Sequence, residues 1–141
     1  MEAVVRLYTS DDAAACAIVF DAAWHAGHPY APRPIDRGIF ERETSGERIL
    51  VAEDEQRRVI GFVSVYEPGS FVHHLYVDPA FHSRGVGRLL LRHALALAGG
   101  TASLKCQARN LGALAFYRGL GWTAGEEGEA EAGPWIRMHS P

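Results

Sequence analysis

The sequence predicts a single α/β domain, residues 1–141, built on a central sheet of mixed strand direction with helices packed against it. Three observations predict it. Strand-like and helix-like segments follow one another in the order β-α-α-β-β-β-α-β-α-β-β, a pattern that calls for helices laid on a sheet. The length of 141 residues, with 48% hydrophobic and 22% charged residues, suits one globular domain that buries its core without a disulfide or a metal. No internal repeat divides the chain.

Val4, Val5, Leu7 and Tyr8 read as a first strand. Ser10, Asp11 and Asp12 offer N-cap side chains for a helix over Ala13 to Trp24. His25 to Pro34 carries Gly27, Pro29, Pro32 and Pro34 and reads as a loop, with a short helix after it over Ile35 to Thr44. Ile49 to Glu53 and Val59 to Tyr66 form a hairpin around the polar turn Asp54 to Arg57. Pro68-Gly69 turns the chain into a further strand, Phe71 to Val77. Val86, Leu90, Ala94 and Leu97 share one face of a helix over Val86 to Ala98, which Gly99-Gly100 ends. A strand over Ala102 to Gln107 precedes a helix from Leu111 to Leu120, capped by Asn110 and closed by Gly121. Trp122 to Ala124 and Trp135 to His139 read as closing strands, and Gly125 to Gly133 as a solvated hairpin loop between them.

Composition excludes several classes of function. A formal net charge of -3, from 14 basic and 17 acidic residues, argues against non-specific nucleic-acid binding, which draws on a basic surface. The cysteines, Cys16 and Cys106, form neither a CxxC pair nor a disulfide framework, which favours a reducing cytoplasm. Met1 to Thr9 has no apolar signal core, and no apolar stretch is long enough to span a bilayer, so no membrane partner is expected. The seven histidines are scattered and form no HExxH pair, so no metal ligands are assigned.

The most distinctive segment runs Leu75-Tyr76-Val77-Asp78-Pro79-Ala80-Phe81-His82-Ser83-Arg84-Gly85-Val86-Gly87-Arg88 and on into Leu89-Leu90-Leu91. A strand enters a short loop and the loop opens a helix. The first N–H groups of that helix have no partner inside it, and its dipole adds partial positive charge, so a phosphate is stabilised there. Gly85 and Gly87 lack the β-carbons that would hold phosphate oxygens off the backbone, and Arg84 and Arg88 can add charge-assisted hydrogen bonds. A GxG at such a junction is also compatible with a tight turn alone. Leu90 stands where a third glycine would complete a dinucleotide-binding fingerprint, and no Gly-Lys-Ser/Thr is present.

Val77-Asp78-Pro79 followed by His82-Ser83-Arg84-Gly85-Val86-Gly87 resembles the signature of the GNAT superfamily of N-acetyltransferases. A second block, Asn110-Leu111-Gly112-Ala113-Leu114-Ala115-Phe116-Tyr117-Arg118-Gly119-Leu120-Gly121-Trp122, is similar to that family's Asn-x-x-Ala-x-x-Phe-Tyr-x-x-x-Gly-Phe. The resemblance covers nearly the whole chain. It implies a mostly antiparallel sheet and transfer of an acetyl group from acetyl-CoA directly to an amine, without an acyl-enzyme. It also implies a division of labour. Backbone N–H groups of Ser83, Arg84, Gly85, Val86, Gly87 and Arg88, with a backbone contribution from His82, would hold the pyrophosphate. Leu75, Tyr76 and Val77 would pair with the pantetheine arm as an added strand does. Asn110 would orient the cofactor, and Tyr117 would protonate the leaving thiolate.

The chain departs from the family pattern in places. His82 replaces the usual Gln or Arg, and Phe71 and Lys105 stand where some members carry a basic carboxylate. The general base therefore falls to His73 or His74 on the central strand. Strand alternation would put His73 on one face with Phe71, Leu75 and Val77, which favours His73. Either histidine can equally be a satisfied core or edge residue. Trp24, His25, His28 and Tyr30 sit in the segment that borders the acceptor site in such folds. Cys106 reads as a buried inert thiol, and Glu126, Glu127, Glu129 and Glu131 as a solvated turn. The alternative reading is a non-catalytic acetyl-CoA-binding sensor of the same fold. Family members often form dimers, which leaves a homodimer open.

Overall fold

The computed structural model describes residues 2–141. Seven strands form one sheet in the order β1-β2-β3-β4-β5-β7-β6. They are β1 (Val4–Leu7), β2 (Arg48–Glu53), β3 (Val59–Tyr66), β4 (Phe71–Val77), β5 (Ser103–Gln107), β6 (Thr123–Ala130) and β7 (Gly133–His139). The helices are α1 (Ala13–Gly27), α2 (Arg37–Glu43), α3 (Val86–Leu97) and α4 (Leu111–Gly119). Every neighbouring pair of strands is antiparallel except β4 and β5.

The sheet separates two cores. On one face Phe20 and Trp24 of α1 and Phe40 of α2 pack on Ile49, Val51 and Phe62. On the other, Val86, Leu90, Leu91 and Ala94 of α3 pack on Leu50, Val63, Val65 and Val72, joined by Leu114 and Tyr117 of α4 and by Trp122. The period-2 alternation of β2 drives this split, with Ile49 and Val51 facing one layer and Leu50 and Ala52 the other. Each fully buried side chain of this size contributes about 1.5–3 kcal/mol of transfer free energy. α3 lies so close to β3 that a Cβ on Gly61 would stand 3.0 Å from Leu90 Cδ1 and 3.1 Å from the Tyr76 carbonyl oxygen, so a larger residue there would push Leu90 and the β4 backbone aside.

Several sequence expectations need correction. α1 does not stop at Trp24 but runs on through His25 to Gly27, where the His28 N–H still bonds the Trp24 carbonyl. The stretch read as a loop over Gly125 to Gly133 is mostly strand. β6 continues to Ala130 and pairs with β7 from Thr123↔His139 to Ala130↔Gly133 across an irregularity between Ala124 and Glu127. Backbone pairing at the sheet edge overrides the poor strand propensity of Glu and Gly. The glycines have a packing role: a Cβ on Gly128 would fall 2.2 Å from Trp135 Cζ2, because the indole lies across that position. Lys105 Nζ sits 4.3 Å from the same ring.

At the other end of the sheet, Asp12 ties the entry of α1 to the strands. Arg6 donates to both Asp12 oxygens at 2.8 Å, the Thr9 N–H donates to Oδ2 at 2.8 Å, and Arg6 Nε reaches Glu53 at 3.0 Å. The Arg6 hydrogen bonds hold the Asp12 carboxyl below the usual aspartate range, against the opposing effect of its burial. A depressed carboxylate stabilises the fold above its unfolded pKa, and this contribution is lost as pH falls through the folded pKa. The urea midpoint is therefore expected to fall as pH drops below about 4, the ordinary aspartate value. Asp12→Asn should be less stable at pH 7 and show a shallower fall. Urea titrations of both proteins between pH 7 and 3 check this, and parallel curves would remove Asp12 from the account.

Candidate active site

The parallel pair β4/β5 organises the site. The two strands pair only at Phe71↔Ser103 and Val72↔Leu104. Beyond Val72 they diverge, while β4 stays paired to β3 as far as Val77. The Leu75–Val77 backbone thus presents an edge to the gap. α4 supplies Ala113 and Tyr117 to a cavity of about 1020 Å³ that opens there, with the α1–α2 segment and β5 forming further walls.

At the C-terminal end of β4 the chain makes a tight phosphate-type turn. The Asp78 carboxylate accepts the Ala80 N–H at 2.9 Å, and His82 Nε2 donates to the Val77 carbonyl at 3.0 Å. His82 thus closes the turn with its side chain. Ser83 has φ 63° and Gly85 φ 79°, and this second left-handed residue caps α3. The first helical hydrogen bond runs from the Leu89 N–H to the Gly85 carbonyl at 3.0 Å. The N–H groups of Val86, Gly87 and Arg88 precede it and have no partner within the helix. Arg84 and Arg88 are exposed beside them, with the Arg84 guanidinium 5.6 Å from the Phe81 ring centroid. This cradle fits a diphosphate.

Each glycine also has a role in the fold itself. A Cβ on Gly85 would meet no protein atom within 4 Å, so what the fold asks of this residue is its positive φ. A Cβ on Gly87 would stand 3.5 Å from Phe116 Cζ and 3.6 Å from Val77 Cγ2, so the bare glycine lets α3 pack closely on α4 and β4. Val86 is buried in the α3 core and offers the cradle only its backbone.

Asn110 caps α4, its Oδ1 accepting the Ala113 N–H at 3.2 Å. Its Nδ2 lies 3.0 Å from where a Cβ of Gly27 would be, so the end of α1 and the start of α4 meet at the cavity wall. Tyr117 is buried against Phe116 and Trp122, and its burial pushes the phenol well above its usual range. Tyr76 stacks on Phe20 with centroids 4.6 Å apart, and its phenol is raised for the same reason. Both hydroxyls are therefore protonated at neutral pH. Burial pushes the Cys106 thiol up to about 11, which leaves it inert.

The face expected for His73 is overturned by a β-bulge. Ser64 pairs with His74 while Val65 pairs with Val72, so His73 is an extra residue in β4. Val72, Leu75 and Val77 then pack with the α3 core, whereas His74 and Tyr76 face Phe20 and Phe62. The bulge brings two adjacent rings, His73 and His74, to 4.0 Å between centroids. Alternation would have sent them to opposite faces.

Two glutamates that sequence reasoning did not single out complete this cluster. His74, buried, binds Ser64 Oγ through Nδ1 at 2.8 Å and Glu43 Oε1 through Nε2 at 3.0 Å. A carboxylate only accepts, so Nε2 carries the proton and Nδ1 accepts from the serine hydroxyl. Burial lowers the His74 pKa, offset in part by Glu43. His73, partly exposed, donates Nδ1–H to Glu47 Oε2 at 2.6 Å, leaving Nε2 with its lone pair. Glu43 also pairs with Arg33, whose guanidinium lies over Phe20 and Trp24. Trp24 stacks on the buried His28 at 3.9 Å and donates Nε1–H to the Ala31 carbonyl. Glu43 and Glu47 lie 31 and 26 residues from their histidine partners, and no spacing rule announces such pairs.

Known proteins share this architecture. The apo form of YjaB from Escherichia coli superposes with a TM-score of 0.80 at 19% identity, covering 99% of this chain and 97% of that one. The PaiA N-acetyltransferase of Thermoplasma acidophilum, solved with coenzyme A, superposes with a TM-score of 0.78 at 16% identity, covering 99% of each chain. In sequence, the N-alpha-acetyltransferase RimI of Mycobacterium tuberculosis is 31% identical over 121 residues, 81% of this chain and 74% of that protein. The mycothiol acetyltransferase of Segniliparus rotundus is 40% identical over 87 residues, 53% of this chain but only 33% of its own length. A profile of the Acetyltransferase (GNAT) family matches residues 8–122, four-fifths of the chain from the end of β1 to the residue before β6, and on that match the chain belongs to the acetyltransferase (GNAT) family.

Proposed function

We propose that this protein is an acetyl-CoA-dependent N-acetyltransferase that moves the acetyl group directly to a primary amine within a ternary complex. The observation that carries the reading is the divergence of β4 and β5, which opens a strand edge between a free helix N-terminus and an imidazole–carboxylate cluster.

Bound acetyl-CoA supplies a thioester, whose carbonyl carbon the neutral amine attacks so that a C–N bond replaces the C–S bond. The N–H groups of Val86, Gly87 and Arg88 hold the pyrophosphate, with Arg84 and Arg88 adding positive charge. The Leu75–Val77 edge receives the pantetheine amides and offers a backbone donor to the developing oxyanion. Asn110 holds the start of α4 and, through it, the position of Tyr117. Tyr117, whose phenol is protonated at neutral pH, gives its Oη proton to the leaving thiolate. His73 Nε2 takes the proton of the attacking amine, while Glu47 behind Nδ1–H fixes the ring and balances the imidazolium. The amine approaches along the wall formed by Trp24, Tyr30, Arg33 and Glu43. Among the described residues no helix is long and apolar enough to cross a membrane. Two free, buried cysteines support a reducing cytoplasmic setting.

Acetyl-CoA at about 100 times its dissociation constant is expected to add roughly 2.7 kcal/mol of stability. Thermal unfolding beside ATP and NAD measures this, and an equal shift with all three ligands would sink the cofactor assignment. Tyr117→Phe and His73→Ala should each lower kcat by about 10²-fold or more in a thiol-release assay while acetyl-CoA still shifts the melting temperature. Full turnover in either variant would remove that residue from the chemistry.

A further inference from the structure

The cluster beside the cavity has a feature that proton transfer does not use. Glu47 Oε1 is buried and has no hydrogen-bond partner, on a side chain only 8% exposed. It stands 3.9 Å from His74 Nδ1. Nδ1 is the unprotonated nitrogen of that ring, because Nε2–H is committed to Glu43. Two electron-pair donors therefore face one another, one of them without a proton to accept. Orphaned buried carboxylate oxygens are costly, and a cation between the two donors would satisfy both.

We propose that Glu47, His73 and His74 form a binding site for one divalent transition-metal ion of the zinc class. One ligand atom from each of the three residues lies within 4.8 Å of the others. Ligands at about 2.1 Å in a tetrahedron stand about 3.4 Å apart, so the 3.9 Å gap between Glu47 Oε1 and His74 Nδ1 closes with a small side-chain movement. Two imidazoles and one carboxylate suit Zn²⁺ and Co²⁺, whereas Mg²⁺ and Ca²⁺ prefer oxygen-only sets. The His74 Nε2–H···Glu43 bond is the outer-shell carboxylate that fixes a ligating imidazole and its tautomer. Metal at Nδ1 displaces only the Ser64 hydroxyl proton, and that hydroxyl is free to rotate. His73 needs only to move its proton from Nδ1 to the other ring nitrogen. Its exposure gives the ion a path in, and a fourth position stays open to water.

No ligand spacing announces this site in the sequence, which assigned no metal ligands. Adjacent residues of a regular strand cannot bind one ion from the same side. The bulge in β4 removes that obstacle, and Glu47 arrives from the turn between α2 and β2. An ion held here takes up His73, so on the acetyl-transfer reading metal binding and base catalysis exclude one another.

The test is calorimetric titration of the intact, cofactor-free protein with Zn²⁺, repeated with Mg²⁺, and absorption spectroscopy with Co²⁺. The result does not depend on whether acetyl transfer occurs. One equivalent of Zn²⁺ should bind, Mg²⁺ should not, and Co²⁺ should give the intense visible bands of a tetrahedral site. His73→Ala and Glu47→Gln should each weaken Zn²⁺ by at least about tenfold. His139→Ala, which removes the separate exposed pair with Glu126, should leave it unchanged. Thermal unfolding identifies a variant that fails to fold, and the other then decides. Absence of Zn²⁺ binding at about 1 mM, a contact worth less than about 4 kcal/mol, overturns the proposal. Binding that survives both cluster variants, or is lost in His139→Ala alone, also overturns it.

Discussion

The open strand edge and the cavity beside it depend on how briefly two parallel strands stay together. β4 and β5 share two pairs of residues and then separate. Parallel strands need a crossover connection, and α3 provides it by packing Leu90, Leu91 and Ala94 under the sheet. The same crossover places the start of α3, with its unpaired N–H groups, just beyond the end of β4. One departure from regular pairing thus yields a free strand edge and a cavity beside it.

The second irregularity lies in the same strand, where its pairing with β5 stops. A single extra residue, His73, lets β4 show Val72 to one core and His74 to the other. The two imidazoles it brings together are hydrogen-bonded by Ser64, Glu43 and Glu47. The bulge thereby converts a structural strand into one that carries ionisable groups at the cavity wall. Burial raises the Tyr76, Tyr117 and Cys106 groups above their usual ranges and lowers the His74 imidazole, which Glu43 partly offsets.

Much of this was legible in the residues, because local signals and tertiary packing agreed. Val59–Tyr66 and Phe71–Val77 are strands from end to end, since β-branched and aromatic runs meet clear turn residues at Glu67–Gly69. The glycine turn before α3 and the Asn110 cap of α4 are where their side-chain chemistry puts them. What could not be read was register. A bulge leaves no compositional trace in Val72-His73-His74, so the alternation argument assigned the wrong neighbours to His73. The pairs Glu43–His74 and Glu47–His73 exist only because α2 and the turn after it fold back over β4. The run from Gly125 to Ala130 looked like loop because its propensities are poor, yet an edge partner supplied backbone bonds that propensity does not count.

That edge has a consequence for the company the protein keeps. β6 ends the sheet, so one side of its backbone has no strand beside it, which ordinarily invites another chain to add itself. The glycine at 128 lets Trp135 lie across the ribbon from within the sheet, so this apolar ring is spent internally. Among the exposed residues along the strand are Glu126, Glu127 and Glu129. A second copy approaching with the same strand would set glutamate against glutamate. The composition that disguised this segment as a loop also protects the sheet from growing into an aggregate.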